Sequence, residues 1–414
     1  MEYDDKMIHK YKENIQDGDL SIGELERGDS EITNLRFLEQ FNIQTLTLFI
    51  SNQLSVKFRN YMIKELSIWN LDKYQKLINV LQVDDLELEN LEVLKLEDNN
   101  LENNQLYNLV KFKKLHSLNV SKNKVDLTHI HCVTSITELS MGGCGLKNID
   151  QLQSLINLED LDLSSNILEN QQLKNLFTFN KLHSLNVSKN KVDLTHIHKV
   201  TSLTKLTMQT CYLSNIDQIT SLVNLEKLVL SFNQNVLFKH NNITESVKKC
   251  GLNNIDQISS LANLKDLDLS GNNIDISPLY QVNSLTKLSI VSCGLKNIDQ
   301  VAPLTNLEVL YISCNHLQTI DSIRQLVNIK ELDISWNSNI NISPLKDVVS
   351  LIKLSVHGCE LTQLSALKHL VNLQFLDISC NYNIIITELQ HLTNLTVLNT
   401  VVGPRNAFLN QEEE

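Results

Sequence analysis

The sequence predicts an α/β fold built as a solenoid, with short parallel strands stacked on one side and brief helical turns returning on the other. Three observations predict it. The pattern L-x-x-L-x-L-x-x-N-x-L recurs along most of the 414 residues. An Asn or a Cys holds the ninth position of every copy. Three of the four prolines fall in the outer segment of the pattern and none in its strand part, where proline would break a ladder.

The pattern begins clearly at Leu91, Leu94, Leu96, Asn99 and Leu101, followed by Leu115, Leu118, Val120, Asn123 and Val125. Its ninth position runs through Asn99, Asn123, Cys144, Asn166, Asn190, Cys211 and Asn233. It continues through Cys250, Asn272, Cys293, Asn315, Asn337, Cys359 and Asn381, fourteen copies in all. Neighbours are 21 to 24 residues apart except for the 17 between Asn233 and Cys250. The fourth and sixth positions alternate as a strand does, so both side chains face the core. Such a strand is too short to stand alone and must pair with its copies above and below. A buried amide at position nine bonds loop backbone of its own and the adjoining repeat, and Cys offers a similar volume with weaker bonding.

The second half of each copy predicts one short helical turn. N-I-D-Q segments place Asp150, Asp217, Asp256 and Asp299 as N-caps. I-S-P-L segments place Ser277 and Ser343 as caps, with Pro278 and Pro344 at the first helical position.

These residues resemble the leucine-rich-repeat family in its 22-residue class. Stretches such as LTNLEVLYISCNHLQTIDSIRQL (Leu304 to Leu326) look most like the Sds22 group of protein phosphatase 1 regulatory subunits, a subclass shared with bacterial internalins. The resemblance covers residues 91 to 400 strongly and 43 to 90 weakly. It implies a curved leucine-rich-repeat solenoid with its parallel β-sheet on the concave face and short 3₁₀, helical or extended segments on the convex face. It further implies a protein partner, a phosphatase catalytic subunit if the Sds22 likeness extends to function. The internalin likeness implies the alternative of a secreted or surface adhesion protein.

The array has irregularities. LHSLNVSKNKVDLTHIH at 115–131 returns unchanged at 182–198, so the chain grew by copying three-repeat blocks. A defective layer is expected near 234–249, where Asn242 and Glu245 sit at leucine positions; it reads as a duplication scar or as a binding loop. Residues 1–42 are expected to form a partly helical N-terminal cap, 43–90 degenerate repeats, 91–400 the regular array, and 401–414 a disordered end.

Composition narrows the function. A net charge of −12 disfavours nucleic acid as partner, because phosphate neutralisation needs clustered Lys and Arg. The opening MEYDDKMIHKYKENIQDGDL lacks an apolar signal core, and no apolar run is long enough to span a bilayer. With eight cysteines and no signal, reduced thiols in the cytoplasm or nucleus are expected, and no membrane attachment. The repeats consume nearly the whole chain, leaving no second domain for catalysis. No cofactor is expected and the chain is read as a monomer on its own, not an enzyme. The H-I-H-C run at His129 to Cys132 invites a metal, but its copy has Lys199 for Cys132, so a solvated outer surface is the simpler reading.

Candidate binding residues are those flanking the strand leucines, which the alternation turns outward on the concave face. Position five carries Asp162, Asp268, Asp333 and Asp377, a broken acidic line. Rings appear at Phe232, Tyr311, Trp336 and Phe375, and His357 joins them. A solvent-facing ring on a strand has no packing reason, and aromatic anchors dominate interfaces; against that, the rings can pack sideways across layers. The partner-binding candidates are therefore Asp268, Tyr311, Asp333, Trp336, His357, Phe375, Asp377 and Phe232. Fourteen layers at about 4.8 Å per strand extend roughly 65 Å along the sheet, a length suited to a folded protein.

Overall fold

The leucines of the repeat become the core with little adjustment. In the copy beginning at Leu307, for example, Leu307, Leu310, Ile312 and Leu317 are all at most 1% exposed. The computed structural model describes residues 19–22, 41–50, 58–59, 62–70, 86–211, 213–233, 252–382, 384 and 386–400. The chain divides into two compact units, Met1–Val192 and Asp193–Glu414.

In the first unit, β1 (Asp19–Ile22), β2 (Thr45–Ile50), β4 (Glu65–Asn70), β6 (Val93–Lys95), β7 (Ser117–Asn119), β8 (Glu138–Ser140), β9 (Asp160–Asp162) and β10 (Ser184–Asn186) pair in parallel, each with the next. Short strands β3 (Phe58–Arg59) and β5 (Leu86–Glu87) pair with each other as a separate small sheet. Strand β1 lies inside the segment expected to be a helical cap, so strand pairing starts one layer before the degenerate repeats. Most of the expected cap, and the tail at 401–414, lie outside the described residues.

In the second unit, β11 (Lys205–Thr207), β12 (Lys227–Val229), β13 (Asp266–Asp268), β14 (Lys287–Ser289), β15 (Val309–Tyr311), β16 (Glu331–Asp333), β17 (Lys353–Ser355), β18 (Phe375–Asp377) and β19 (Val397–Asn399) pair the same way. This order corrects the count of copies. Strand β12 pairs directly with β13, and Asn233 N–H donates to Asn272 Oδ1 at 3.0 Å, across 39 residues of sequence. Cys250 therefore does not head a layer of its own. Leu252, buried, takes the eleventh position of the repeat that begins at Leu225, with its N–H donating to the Asn233 carbonyl. The stretch expected to be a defective layer is an insertion between the ninth and eleventh positions of one repeat; residues 234–251 themselves lie outside the described residues.

The ninth-position amide joins layers within each unit. Asn315 Nδ2 donates to the carbonyls of Ile290, Ile312 and Ser313 at 2.9–3.1 Å, and its Oδ1 accepts from the N–H groups of Cys293 and Leu295, both at 3.0 Å. Asn123, Asn166, Asn190, Asn272, Asn337 and Asn381 donate in the same way. Where Cys stands instead, its thiol donates to the equivalent carbonyl: Cys144 to Val120, Cys293 to Leu269 and Cys359 to Ile334, at 3.2–3.4 Å. Burial pushes the Cys293 thiol up to about 11 and the Cys359 thiol up to about 12, so both stay protonated donors at neutral pH.

A second polar ladder runs just before the first leucine of the pattern. Asn224, Asn306, Asn328, Asn372 and Asn394 each donate Nδ2 to a carbonyl 23 residues earlier, at 2.8–2.9 Å. At the same place Ser284 and Ser350 donate Oγ instead to the carbonyls of Leu264 and Ile329, 20 and 21 residues earlier.

The return segments are mostly 3₁₀ turns, and they start one residue earlier than expected, with the capping side chain two residues earlier. Asp150, Asp217, Asp256 and Asp299 are the first helical residues rather than the caps. The cap is the side chain two positions earlier: Asn148, Asn215, Asn254 and Asn297 each accept from the Asp N–H through Oδ1. Likewise Asp275 accepts from Ser277 N–H and Asn341 from Ser343 N–H, which puts Pro278 and Pro344 one place inside the turn. The reason is reach: in these tight turns a side chain two residues before an N–H closes a small ring on it, an Asx turn. Among the described residues, no helix is long and apolar enough to cross a membrane.

Replacing Asn315 with Ala strips partners from three carbonyls and two buried N–H groups, so a loss of about 2–4 kcal/mol is expected in urea denaturation. Asn315→Cys should lose less than half of that, since the chain uses Cys there four times among the described layers. Brief alkylation at pH 8 followed by peptide mass spectrometry should label the exposed Cys132 and Cys314 well before the buried Cys293 and Cys359. Equal labelling of all four would contradict the ladder.

Candidate functional site

Strand alternation leaves two outward columns, positions three and five, on the sheet face of each unit. In the second unit, position three carries Val309, Glu331, Lys353 and Phe375 on β15 to β18, and position five carries Tyr311, Asp333, Ser355 and Asp377. All of these but Val309 enclose an open groove of about 340 Å³ whose floor includes Leu332 and Leu354. Tyr311 stands at one end and Phe375 at the other, three strand spacings or about 14 Å away. Both rings are half-buried.

Bonding among these side chains fixes the groove. Tyr311 Oη donates to Glu331 Oε1 at 2.7 Å, and Lys353 Nζ lies 3.4 Å from Glu331 Oε2. Lys287 Nζ sits 5.7 Å above the Tyr311 ring. Burial, then the bond to Glu331, pushes the Tyr311 phenol up to about 12, so it remains a donor through the neutral range. Glu331 is thus engaged on both oxygens.

The aspartates of position five have a structural duty that the sequence reading missed. Asp268, Asp333 and Asp377 each accept from the N–H of the serine two residues on, at 2.8–2.9 Å, and Asp162 does so from Ser164. The side chain ends the strand with an Asx turn. In the duplicated blocks Asn119 and Asn186 make the same bond, to Ser121 and Ser188. The turn needs the oxygen and not the charge.

Not all the expected candidates sit on strands. Phe232 and Trp336 occupy position eight, past the strand, in the left-handed region at φ 55. Every residue described at that position adopts it, from Lys122 and Ser165 to Cys314 and Cys380. The chain has to reverse there to bring the ninth-position amide inward, so strand alternation no longer applies. The two rings lie across the following repeat, each over a glycine at the same position. A Cβ on Gly271 would overlap the Phe232 ring, and one on Gly358 would meet Trp336 Cε3 at 2.7 Å. The sideways packing weighed against an interface role is therefore what these two rings do, although both remain about two-fifths exposed. The sequence signal was available: a bulky residue at position eight is followed by Gly at position eight of the next layer.

His357, at position seven, touches the Trp336 ring, with centroids 4.9 Å apart, and its Nδ1 is 3.8 Å from Asp377 Oδ1. Tyr311, Asp333, Phe375 and Asp377 thus share one groove, with His357 and Trp336 on its flank. Asp268 is two strands from Tyr311 and Phe232 lies further along the same unit, so neither lines it. Glu331, Lys353 and Ser355 line it and were not singled out from the sequence. The first unit also has a depression of about 440 Å³ on its sheet face, but small and polar side chains such as Ser117, Asn119, Ser140 and Ser184 line it, with no ring.

The second histidine of each H-I-H run is engaged with backbone: His131 Nδ1 lies 2.8 Å from the Leu127 carbonyl, and His198 Nδ1 2.8 Å from that of Leu194. Among the described residues no three His, Cys, Asp or Glu converge as metal ligands.

Models of the leucine rich repeat match residues 263–281 and 283–338. No curated protein matches the sequence. Among solved structures, an internalin of Listeria monocytogenes is similar at 23% identity and a TM-score of 0.55, over 80% of this chain and 85% of that one. A leucine-rich-repeat protein of Leptospira interrogans is similar at 21% identity and a TM-score of 0.51, over 92% and 94%. At these identities the likeness is one of fold. The matched models, the ninth-position ladder and the parallel strands agree: this chain carries leucine rich repeats and folds as a leucine-rich-repeat solenoid.

Proposed function

We propose that the chain is a protein-binding scaffold that engages its partner through the sheet face of the second unit, at the groove between Tyr311 and Phe375. One observation carries this reading: two half-buried rings bracket a charged depression, while the comparable depression in the first unit holds no ring. Rings that are already partly desolvated lose little entropy on binding and suit the centre of an interface. The groove is open and shallow, a shape for a protein surface rather than for an enclosed small molecule.

The finer reading makes the chain a regulatory subunit and its partner a phosphatase catalytic subunit, in the cytoplasm or nucleus. Its support is the likeness of residue type to the Sds22 group. A ladder of free thiols donating to carbonyls also suits a reducing compartment. The alternative is surface recognition of the internalin type, which would require those thiols to persist in an oxidising medium.

Affinity capture from the source cells, compared between the wild-type chain and Tyr311→Ala/Phe375→Ala, tests the reading. The double variant should lose a defined partner by tenfold or more, about 1.4 kcal/mol, while circular dichroism shows that it remains folded at the temperature of the assay. Unchanged capture would sink the groove as the interface. Recovery of a phosphatase catalytic subunit favours the regulator reading, and labelling of the chain by a membrane-impermeant reagent on intact cells favours the alternative. Trp336→Ala serves as contrast: it should cost about 1–2 kcal/mol of stability, because its ring covers Gly358 and His357.

A further inference from the structure

We infer that the groove receives an arginine side chain from the partner, its guanidinium held between Asp333 and Asp377 above Ser355. The inference rests on the proposed protein-binding reading and names the chemistry of what enters the groove.

Glu331 is occupied by the Tyr311 hydroxyl on one oxygen and by Lys353 on the other. That leaves Asp333 and Asp377 as the uncompensated charges of the depression. Asp333 uses Oδ1 for the Ser335 N–H, and its Oδ2 meets no donor among the described residues. Asp377 uses Oδ1 for the Ser379 N–H, with a long contact from Asn399 to Oδ2 and His357 at 3.8 Å.

The charge on these two side chains is surplus to the fold. Asn119 and Asn186 make the identical turn bond with a neutral amide. A scaffold indifferent to charge at position five carries it on both sides of the smallest residue in the groove. Asp333 pairs with Ser355, and Ser355 with Asp377, so the carboxylates flank Ser355 two strand spacings apart, about 10 Å between backbones.

That spacing selects among cations. An ammonium is a point charge and would have to choose one carboxylate. A guanidinium spreads five N–H donors across a plane and can address two acceptors on opposite sides. The rings at the two ends add faces on which such a plane, or its aliphatic stem, can lie. Tyr311, kept protonated and already under Lys287, fixes one wall.

The test uses the full chain, ¹⁵N-labelled, and three probes: acetyl-Gly-Arg-Gly-amide and its Lys and Gln counterparts. The arginine peptide should give saturable amide shifts centred on residues 333, 355 and 377. The lysine peptide should bind about fivefold more weakly and the glutamine peptide more weakly still. Asp333→Asn/Asp377→Asn, which keeps the turn bonds, should weaken the arginine peptide about tenfold or more. Glu138→Gln/Asp160→Asn, which removes the same charge from the sheet face of the first unit, should leave it unchanged. Equal binding of the glutamine peptide, or equal loss in the control variant, overturns the inference while the aromatic groove stands as an interface. No shifts at these residues from any peptide overturn it too. The protein-binding reading is judged separately, by capture with Tyr311→Ala/Phe375→Ala.

Discussion

The side-chain amide at position nine sets the terms for everything else in this protein. It is buried, it meets donors and acceptors on two layers at once, and its bonds have to be satisfied because no water reaches it. Asn315 shows the full arrangement, with three carbonyls receiving its N–H groups and two backbone N–H groups reaching its oxygen. To bring that amide inward the chain must turn at position eight, hence the left-handed backbone there whether the residue is Lys, Ser, Cys or Trp. The leucines provide the burial, but leucines alone would tolerate slippage between layers. The amide does not, and it fixes the register in which all outward columns then align.

The same short-range chemistry recurs at two other places in many of the repeats. An Asp or Asn oxygen ends the strand by accepting from the N–H two residues on, and another opens the 3₁₀ turn in the same way. Polar side chains are thus spent first on backbone, and the repeat leaves few positions whose chemistry is free to vary. Position three is one. It carries Lys227 against Asp266 and Glu331 against Lys353, solvent-facing pairs whose contribution to stability is small. Charge at position five is another degree of freedom, because the turn accepts Asn and Asp equally.

How legible this was follows from those physics. Period two and the invariant ninth position fixed which residues are core, and the 21–24-residue spacing fixed where strands stack. Position eight was misread because sequence alternation continues past the point where the backbone stops being extended; the Gly partners of Phe232 and Trp336 carried the missing information. The insertion after Asn233 was misread because LNNIDQI resembles the start of an outer segment, which made Cys250 look like a ladder residue. In the structure Leu252 closes the earlier repeat instead, and the backbone N–H of Asn233 donates directly to the side-chain oxygen of Asn272. Caps were placed two residues late because helix rules were applied to turns in which an Asx oxygen two residues earlier is the better-placed acceptor. The groove itself was half legible: Tyr311, Asp333, Phe375 and Asp377 stood out by type, whereas Glu331, Lys353 and Ser355 matter only through their neighbours on adjoining strands.

A fold that determines its interior so tightly also constrains where specificity can evolve. Copying a three-repeat block reproduces core, ladders and surface together, so the outward residues of 115–131 and 182–198 are identical and present the same chemistry twice. A partner that reads a distinct surface needs layers that have diverged. Across β15 to β18 the outward columns change from layer to layer, from Val309 and Tyr311 to Glu331 and Asp333, then Lys353 and Ser355, then Phe375 and Asp377, while the leucines beneath stay constant. Divergence confined to solvent-facing columns leaves the ladder intact and so costs little stability. That is the physical reason a recognition site can form there without disturbing the stack that holds it.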